Sequence, residues 1–270
     1  MPEGDTIARA AVSLRRWLGG REVTAARGGP LGPDLSVLVG ATLDEVEARA
    51  KHLLMHFSTG LVLHTHMRMT GSWYVHPTGQ RWRKPAYQAV AVIESGERLA
   101  VCFNAPVVEL VAARDLALHG ALRRLGPDVL HDRLPTADQL AGRAAARAEQ
   151  APTVGELLLD QQVVSGIGNI YRCETLFLCG VHPWTPTATL DRALLERLVA
   201  TAARVMAANA ATSAYDRAFD AGPSRPWVYG RAGRPCRRCR TRITSGRLGA
   251  DARVVYWCPR CQPAPAGAGH

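Results

Sequence analysis

The chain has 270 residues, enough for two or more domains that each bury a core without disulfide staples. It is 47% hydrophobic and 21% charged, which excludes a wholly disordered or collagen-like chain, and no apolar run approaches the roughly 20 residues that span a bilayer. Lys plus Arg is 33 against 23 acidic residues, a net charge of +10, so a polyanionic partner competes evenly with the plainer reading of arginine scattered over a solvated surface.

The opening MPEGDTIARA has no charged-then-apolar layout of a secretion signal, and the expected location is the cytoplasm. Ile7, Ala10, Ala11, Leu14, Trp17 and Leu18 recur at helical spacing, with Asp5 or Thr6 placed to cap the start. Beyond Gly19-Gly20-Arg21 the period shortens. Leu53 to Phe57, Leu61 to His66, Ala89 to Ile93 and Leu99 to Phe103 are short apolar runs parted by Ser58-Thr59-Gly60 and Glu94-Ser95-Gly96 turns, the pattern of an antiparallel sandwich or barrel.

Gly126-Pro127-Asp128 and Leu134-Pro135 break that pattern, and helices are predicted after them. They are Gln139 to Gln150, capped by Thr136 or Asp138, then Val154 to Val164, Ile170 to Cys179, and Leu190 to Ala210 starting beside Asp191. Ser213 to Pro235, rich in Gly, Pro and aromatic residues, reads as a connector. The fold class is therefore α+β and multidomain. Its expected parts are an N-terminal β-sandwich domain with its own N-terminal helix over 1–125, a helical domain over 126–225, a four-cysteine ribbon over 226–263 and a disordered tail over 264–270.

Four of the seven cysteines fall as Cys236-x2-Cys239 and Cys258-x2-Cys261, the spacing at which two tight turns each supply two thiolates to one tetrahedral ion. One structural Zn2+ is expected; disulfides are the alternative, disfavoured by a reducing cytoplasm. All-thiolate ligation closes the site, so the ion holds a small ribbon together rather than catalysing. Ala252 to Trp257 reads as a strand entering the second turn, with Arg253 placed to meet a phosphate. Cys102, Cys173 and Cys179, in apolar contexts, read as core.

Gly166-Ile167-Gly168-Asn169 opens a helix whose free N–H groups and positive dipole end suit an anion, with the Asn169 amide able to join them; a plain turn between packed helices competes. At the other end of the chain, Met1 precedes a small residue and is a good substrate for removal, which leaves Pro2 with a free secondary amine. An α-amino group titrates near about 8, so much of it is an unprotonated nucleophile at neutral pH. Its attack on a sugar aldehyde carbon gives a cationic iminium, an electron sink for elimination, and Glu3 beside it can protonate a leaving oxygen or base. Only two of the 33 basic residues are lysines, and Lys51 stands where arginine is the rule, as a job needing a titratable ammonium would demand; chance retention of a surface lysine is the alternative.

The start Pro2-Glu3-Gly4-Asp5-Thr6-Ile7, the stretch Arg49 to Leu54, Arg124-Leu125-Gly126-Pro127-Asp128, Gly166 to Arg172 and the terminal four-cysteine ribbon occur in the order of the formamidopyrimidine-DNA glycosylase and endonuclease VIII family. The chain resembles that family over nearly its whole length, and its Pro-Glu-Gly opening is more similar to the endonuclease VIII branch. The resemblance implies a bifunctional DNA glycosylase and abasic-site lyase of base excision repair, a β-sandwich joined to a helix-two-turn-helix domain and a zinc finger. Its substrate would be oxidised pyrimidines in damaged double-stranded DNA, nicked by β,δ-elimination; no membrane is involved, and the protein would be a bacterial monomer associated with the nucleoid.

It further implies Pro2 as the Schiff-base nucleophile, Glu3 as the proton donor that opens the sugar, Lys51 as acid/base and phosphate contact, and Arg253 as the aid to δ-elimination. Arg68, Met69, Arg124 and Asn169 fall at DNA-contacting positions, Arg68 and Met69 where the family fills the void left by the extruded nucleotide. For Met67 and Met69 a strand-end core role is the alternative. Thr6 stands where the endonuclease VIII pattern has a second glutamate, and Arg68 where it has glutamine, so an oxidised-purine preference stays open. A non-catalytic zinc-ribbon DNA-binding protein is the reading from a different class.

Overall fold

The computed structural model describes residues 2–212, 217–219 and 225–265, and these form two compact units, 1–123 and 124–270. Met1, part of the connector at 213–235 and most of the tail at 264–270 lie outside the described residues.

The first unit begins with helix α1 (Gly4–Leu18). Its buried Ile7, Ala11, Leu14 and Leu18 repeat at three and four, and Arg15 and Arg16 in the last turn face the negative end of the helix dipole. The cap differs from expectation. Glu3 is the N-cap, and Asp5 and Thr6 lie inside the first turn, because the helix starts at Gly4, three residues before the first apolar residue of the repeat, Ile7.

Eight strands follow: β1 (Ala25–Gly28), β2 (Leu43–Arg49), β3 (His52–Phe57), β4 (Leu61–His66), β5 (Ser72–Pro77), β6 (Ala89–Ser95), β7 (Arg98–Phe103) and β8 (Val107–Ala112). They make two antiparallel four-stranded sheets, ordered β1-β6-β7-β5 and β2-β3-β4-β8. Leu53, Met55, Phe57 and Leu63 from one sheet and Trp73, Ile93, Ala100 and Cys102 from the other share a core with the apolar face of α1. Since alternate residues of a strand face opposite sides, the inward set Leu53, Met55 and Phe57 sends His52, Leu54 and His56 to the other face of the same strand.

The second unit holds α2 (Ala137–Ala146), α3 (Val154–Leu157), α4 (Asn169–Cys179) and α5 (Arg192–Ala210), then the hairpin of β9 (Thr244–Leu248) and β10 (Arg253–Trp257). Thr136 caps α2 in a reciprocal box with Gln139, and Asp191 caps α5 by accepting from the Leu194 N–H at 2.7 Å. The expected helix over 154–164 stops at Leu157. Asp160 draws the following backbone into a turn, accepting from Gln162 N at 2.9 Å, and Val163 and Val164 are buried as loop residues, so the apolar run marks burial rather than helix.

The helices pack around Leu140, Val154, Tyr171, Leu176, Leu198 and Met206, whereas the ribbon has its own core of Phe177, Ile243, Val255 and Trp257. Cys102 and Cys173 are core residues as expected, but Cys179, at the last position of α4, is only half-buried. No helix among the described residues is long and apolar enough to cross a membrane.

Candidate active site and metal centre

In the first unit, Pro2 is half-buried and Glu3 is fully buried immediately before α1, where helix N–H groups favour a carboxylate. Thr6, which stands in for a glutamate of the endonuclease VIII pattern, donates its hydroxyl to Asp5 at 3.3 Å, and Asp5 is itself fully buried and paired with Arg9 at 3.1 Å. A buried carboxylate therefore occupies the first turn, one residue before the place where the pattern has its second glutamate.

Lys51 lies at the tip of the β2–β3 hairpin. Arg49 pairs with His52, and Ala50, at φ +56°, makes the reversal. The register then places His52 opposite His66 at the end of β4. His66 accepts from the Arg68 backbone N–H at 3.2 Å through Nδ1. Burial, with the neighbouring charges of Lys51 and Arg68, lowers its pKa to about 4, so the ring is neutral at physiological pH. His52 is driven lower still, to about 2, by burial and then by His66 and His64. Lys51, His66 and Arg68 thus share one patch, in which the imidazole is neutral.

The turn after β4 separates its two methionines. Met67 is buried at 1% exposure, a strand-end core residue, while Met69 is 63% exposed. Arg68 between them is exposed and held at φ +44°, a left-handed conformation that costs a non-glycine residue about 1 kcal/mol. Gly71 closes the turn by donating to Met67 O at 2.8 Å, and a Cβ there would sit 2.6 Å from that oxygen. An exposed thioether and a guanidinium projecting from a tight loop form a protrusion of the kind that can enter a base stack.

In the second unit, Arg124 is exposed at the start of the unit. Gly166, at φ +98°, bends the chain into α4, and Gly168 is the N-cap. Asn169 is 9% exposed, and its amide donates to Val254 O of β10 at 2.9 Å. Its Oδ1 accepts a short hydrogen bond from the wholly buried Arg172, whose guanidinium also reaches Val254 O at 3.2 Å and Gly155 O at 3.4 Å. The entrance to α4 is therefore tied to the strand that begins with Arg253. The Arg253 side chain is 44% exposed and lies 3.5 Å from Asp251, a weak pair that leaves it available to a phosphate. Sequence reasoning missed the link of Arg172 to Val254, because nothing local marks a buried arginine one of whose acceptors lies more than eighty residues away.

Cys236, Cys239, Cys258 and Cys261 gather with all sulfurs within 4.8 Å of one another, a possible metal site. Two cross-pair distances are 4.0 Å (Cys236 to Cys261) and 3.4 Å (Cys239 to Cys258). A tetrahedron of thiolates at the usual zinc–sulfur length needs sulfurs about 3.8 Å apart, so these two pairs lie within a few tenths of an ångström of what that ion needs. The Arg238 N–H points at Cys236 Sγ, 3.4 Å away, as suits a thiolate. Buried Gln262 fixes the second turn, accepting from Cys258 N at 3.0 Å and donating to Val181 O at 2.8 Å, and so docks it on the loop after α4.

Comparison with known proteins follows the same two-part division. A family model described as the formamidopyrimidine-DNA glycosylase N-terminal domain matches residues 1–106, and one described as the formamidopyrimidine-DNA glycosylase H2TH domain matches 125–216. A probable endonuclease 8 2 of Streptomyces coelicolor is 38% identical over 98% of this chain and 95% of its own length. A Mycolicibacterium smegmatis protein named DNA-(apurinic or apyrimidinic site) lyase Nei2 is 35% identical over 98% of this chain and all of its own. Endonuclease 8 of Salmonella agona is 32% identical over 97% of this chain. Among solved structures, Lactococcus lactis Fpg in complex with abasic-site DNA superposes with a TM-score of 0.83, covering 97% of this chain and all of that one at 20% identity, a likeness of fold.

Proposed function

Since this chain belongs to the formamidopyrimidine-DNA glycosylase family, we propose that it is a DNA glycosylase and abasic-site lyase of base excision repair, of the endonuclease VIII type. The observation that carries the proposal is a fully buried carboxylic acid, Glu3, directly after Pro2 and at the head of α1, in the unit that also carries Lys51. Removal of Met1 frees the Pro2 amine. It attacks C1′ of the damaged nucleotide while Glu3 supplies the proton that opens the sugar, and the base departs. The resulting iminium draws electrons from C2′ once a proton is lost there, which expels the 3′-phosphate, and a second elimination expels the 5′-phosphate.

Lys51 serves as the acid/base group and phosphate contact of the first elimination, and Arg253 aids the second. Arg68 and Met69 fill the gap left by the extruded nucleotide, and Arg124 and Asn169 grip the backbone. One structural Zn2+ bound by Cys236, Cys239, Cys258 and Cys261 holds the hairpin that presents Arg253. The domains run 1–125, 126–225 and 226–263, with a tail over 264–270. The working form is a cytoplasmic monomer on damaged double-stranded DNA, associated with the nucleoid through it.

The Pro-Glu-Gly opening supports oxidised pyrimidines as the preferred lesion. A panel of single-lesion duplexes with analysis of the product ends tests substrate and chemistry together. Excision of thymine glycol and 5,6-dihydrouracil, leaving phosphate on both ends, is expected. Faster release of 8-oxoguanine opposite cytosine moves the preference to oxidised purines. Intact excision by Glu3→Gln overturns the role given to Glu3, and DNA binding without base release or strand cleavage by the Met1-processed wild type leaves a non-catalytic DNA-binding protein.

A further inference from the structure

We propose that His64, Glu109 and His119 form a second metal site, one that takes a divalent transition ion such as Zn2+ or Co2+ through two imidazoles and a carboxylate. The site follows from sheet register. β4 and β8 are antiparallel neighbours, and His64 stands directly opposite Glu109. The chain leaves β8, makes a 3-10 turn over Ala113–Leu118 and brings His119 back to the same carboxylate. Glu109 Oε2 lies 2.9 Å from His64 Nδ1 and 3.0 Å from His119 Nε2, and the three donor atoms lie within 4.8 Å of one another.

Nitrogen and oxygen donors in this combination suit a borderline divalent ion. Ligands at metal-bond lengths of about 2.0–2.1 Å stand roughly 3.3 Å apart around a tetrahedron, so the carboxylate oxygen needs to move only a few tenths of an ångström away from each imidazole nitrogen. Glu109, whose side chain is 47% exposed, can give that much, while His64, 1% exposed, forms the fixed floor. Three protein ligands leave a fourth position to water, reached from the exposed side of Glu109.

The surroundings suit a ligand as well. A metal-bound imidazole is usually oriented by a partner for its other ring nitrogen. For His64 that partner is His52, whose Nδ1 is 2.8 Å from His64 Nε2. Binding at Nδ1 places the proton of a neutral His64 on Nε2, which then donates to His52 Nδ1 once the His52 proton has shifted to its own Nε2, so both rings stay neutral. His119 is steered instead by an edge-on contact with the His64 ring, the centroids 4.9 Å apart. The bound ion would pin the segment after β8 to the centre of the sheet. His52 is also the residue after Lys51, which puts the ion one hydrogen-bonded step from that hairpin. The inference rests on these side chains alone, and it stands whatever base the protein excises.

The test uses tag-free full-length protein whose four-cysteine site has first been filled with one equivalent of Zn2+, followed by titration with Co2+. A second equivalent is expected to bind, with weak visible bands but no thiolate-to-cobalt charge transfer, and to raise the midpoint of thermal unfolding with ion concentration. Glu109→Gln and His119→Ala should each weaken this second site by at least about tenfold, the scale on which metal sites respond to loss of a partner, and keep the first equivalent. Glu109→Gln, at an exposed strand position, guards against a folding defect in the other variant. No second equivalent at sub-millimolar Co2+ or Zn2+, or a second equivalent undiminished in both variants, overturns the proposal.

Discussion

Replacing Asn169 with Ala should cost stability before it costs DNA affinity. The residue makes two buried hydrogen bonds, from its amide to Val254 O at 2.9 Å and to its Oδ1 from the Arg172 guanidinium. A neutral buried bond is worth about 1 kcal/mol and one to a charged group about 1.5–3 kcal/mol. Arg172 keeps Val254 O and Gly155 O as acceptors, so its charge is not stranded. The loss is therefore about 3 kcal/mol, and at roughly 2–4 °C per kcal/mol for a unit of this size the transition falls by about 6–12 °C. Differential scanning calorimetry on the full chain reads it directly. Asn169→Asp keeps an acceptor for Arg172 but loses the amide donor and sets a carboxylate oxygen against Val254 O, so it should also melt below the wild type, and it should bind an abasic duplex more weakly because it sets a carboxylate where phosphate is expected. An Asn169→Ala protein melting within about 1 °C of the wild type would refute the claim that this amide joins the start of α4 to β10.

Gly71→Ala forces a methyl to within 2.6 Å of Met67 O, so the turn carrying Arg68 and Met69 must open at a cost of about 1–3 kcal/mol; base excision should fall more than binding to an abasic-site analogue, and unchanged melting and excision would show the turn to be slack. Thiol titration separates the cysteines by environment. Burial pushes Cys102 far up, Cys173 to about 12 and Cys179 upward, so these should stay unreactive at neutral pH, while a strong chelator should release four reactive thiols from the ribbon and lower its melting midpoint. Four thiols reacting without chelator would contradict a metal-held ribbon. Glu47 is held below the usual carboxylate range chiefly by His56, 3.5 Å away, and by Arg49 at 2.7 Å, against its partial burial. A depressed folded value stabilises above the unfolded pKa of about 4.3 and is lost as pH falls through the folded one. Glu47→Gln should cost less than about 1 kcal/mol at pH 7, and that difference should vanish as acid protonates the folded carboxylate; a penalty constant with pH would exclude the pairing.

The parts of the fold that follow from local periodicity were legible. Leu61 to His66 matches β4 at both ends, the start of α5 follows from Asp191, and the ribbon strand differs by one residue. Three kinds of feature were not. The apolar residues 163 and 164 fill a buried loop, and hydrophobicity alone cannot tell loop burial from a helix face. Strands such as β2 and β8 alternate weakly because they lie at the two edges of their sheet. Side-chain networks that join distant segments leave no local trace, as with Arg172 and Val254, or His64 with Glu109 and His119. Among the candidate site residues, the motif at 236–261 specified the sulfur cluster because its spacing is itself a geometric constraint. At Met67 and Met69 the sequence left both roles open, and the backbone turn decided: one residue is core and the other is exposed.

The central claim is that an unblocked Pro2 amine forms a covalent iminium with the sugar of damaged DNA. The most direct measurement adds borohydride to the reaction between an abasic-site duplex and protein shown by mass spectrometry to begin at Pro2, then locates the adduct by peptide mapping. The account requires a stable protein–DNA complex joined through Pro2, absent from protein that retains Met1. No complex from the processed chain, or an adduct on Lys51 in place of Pro2, would contradict it.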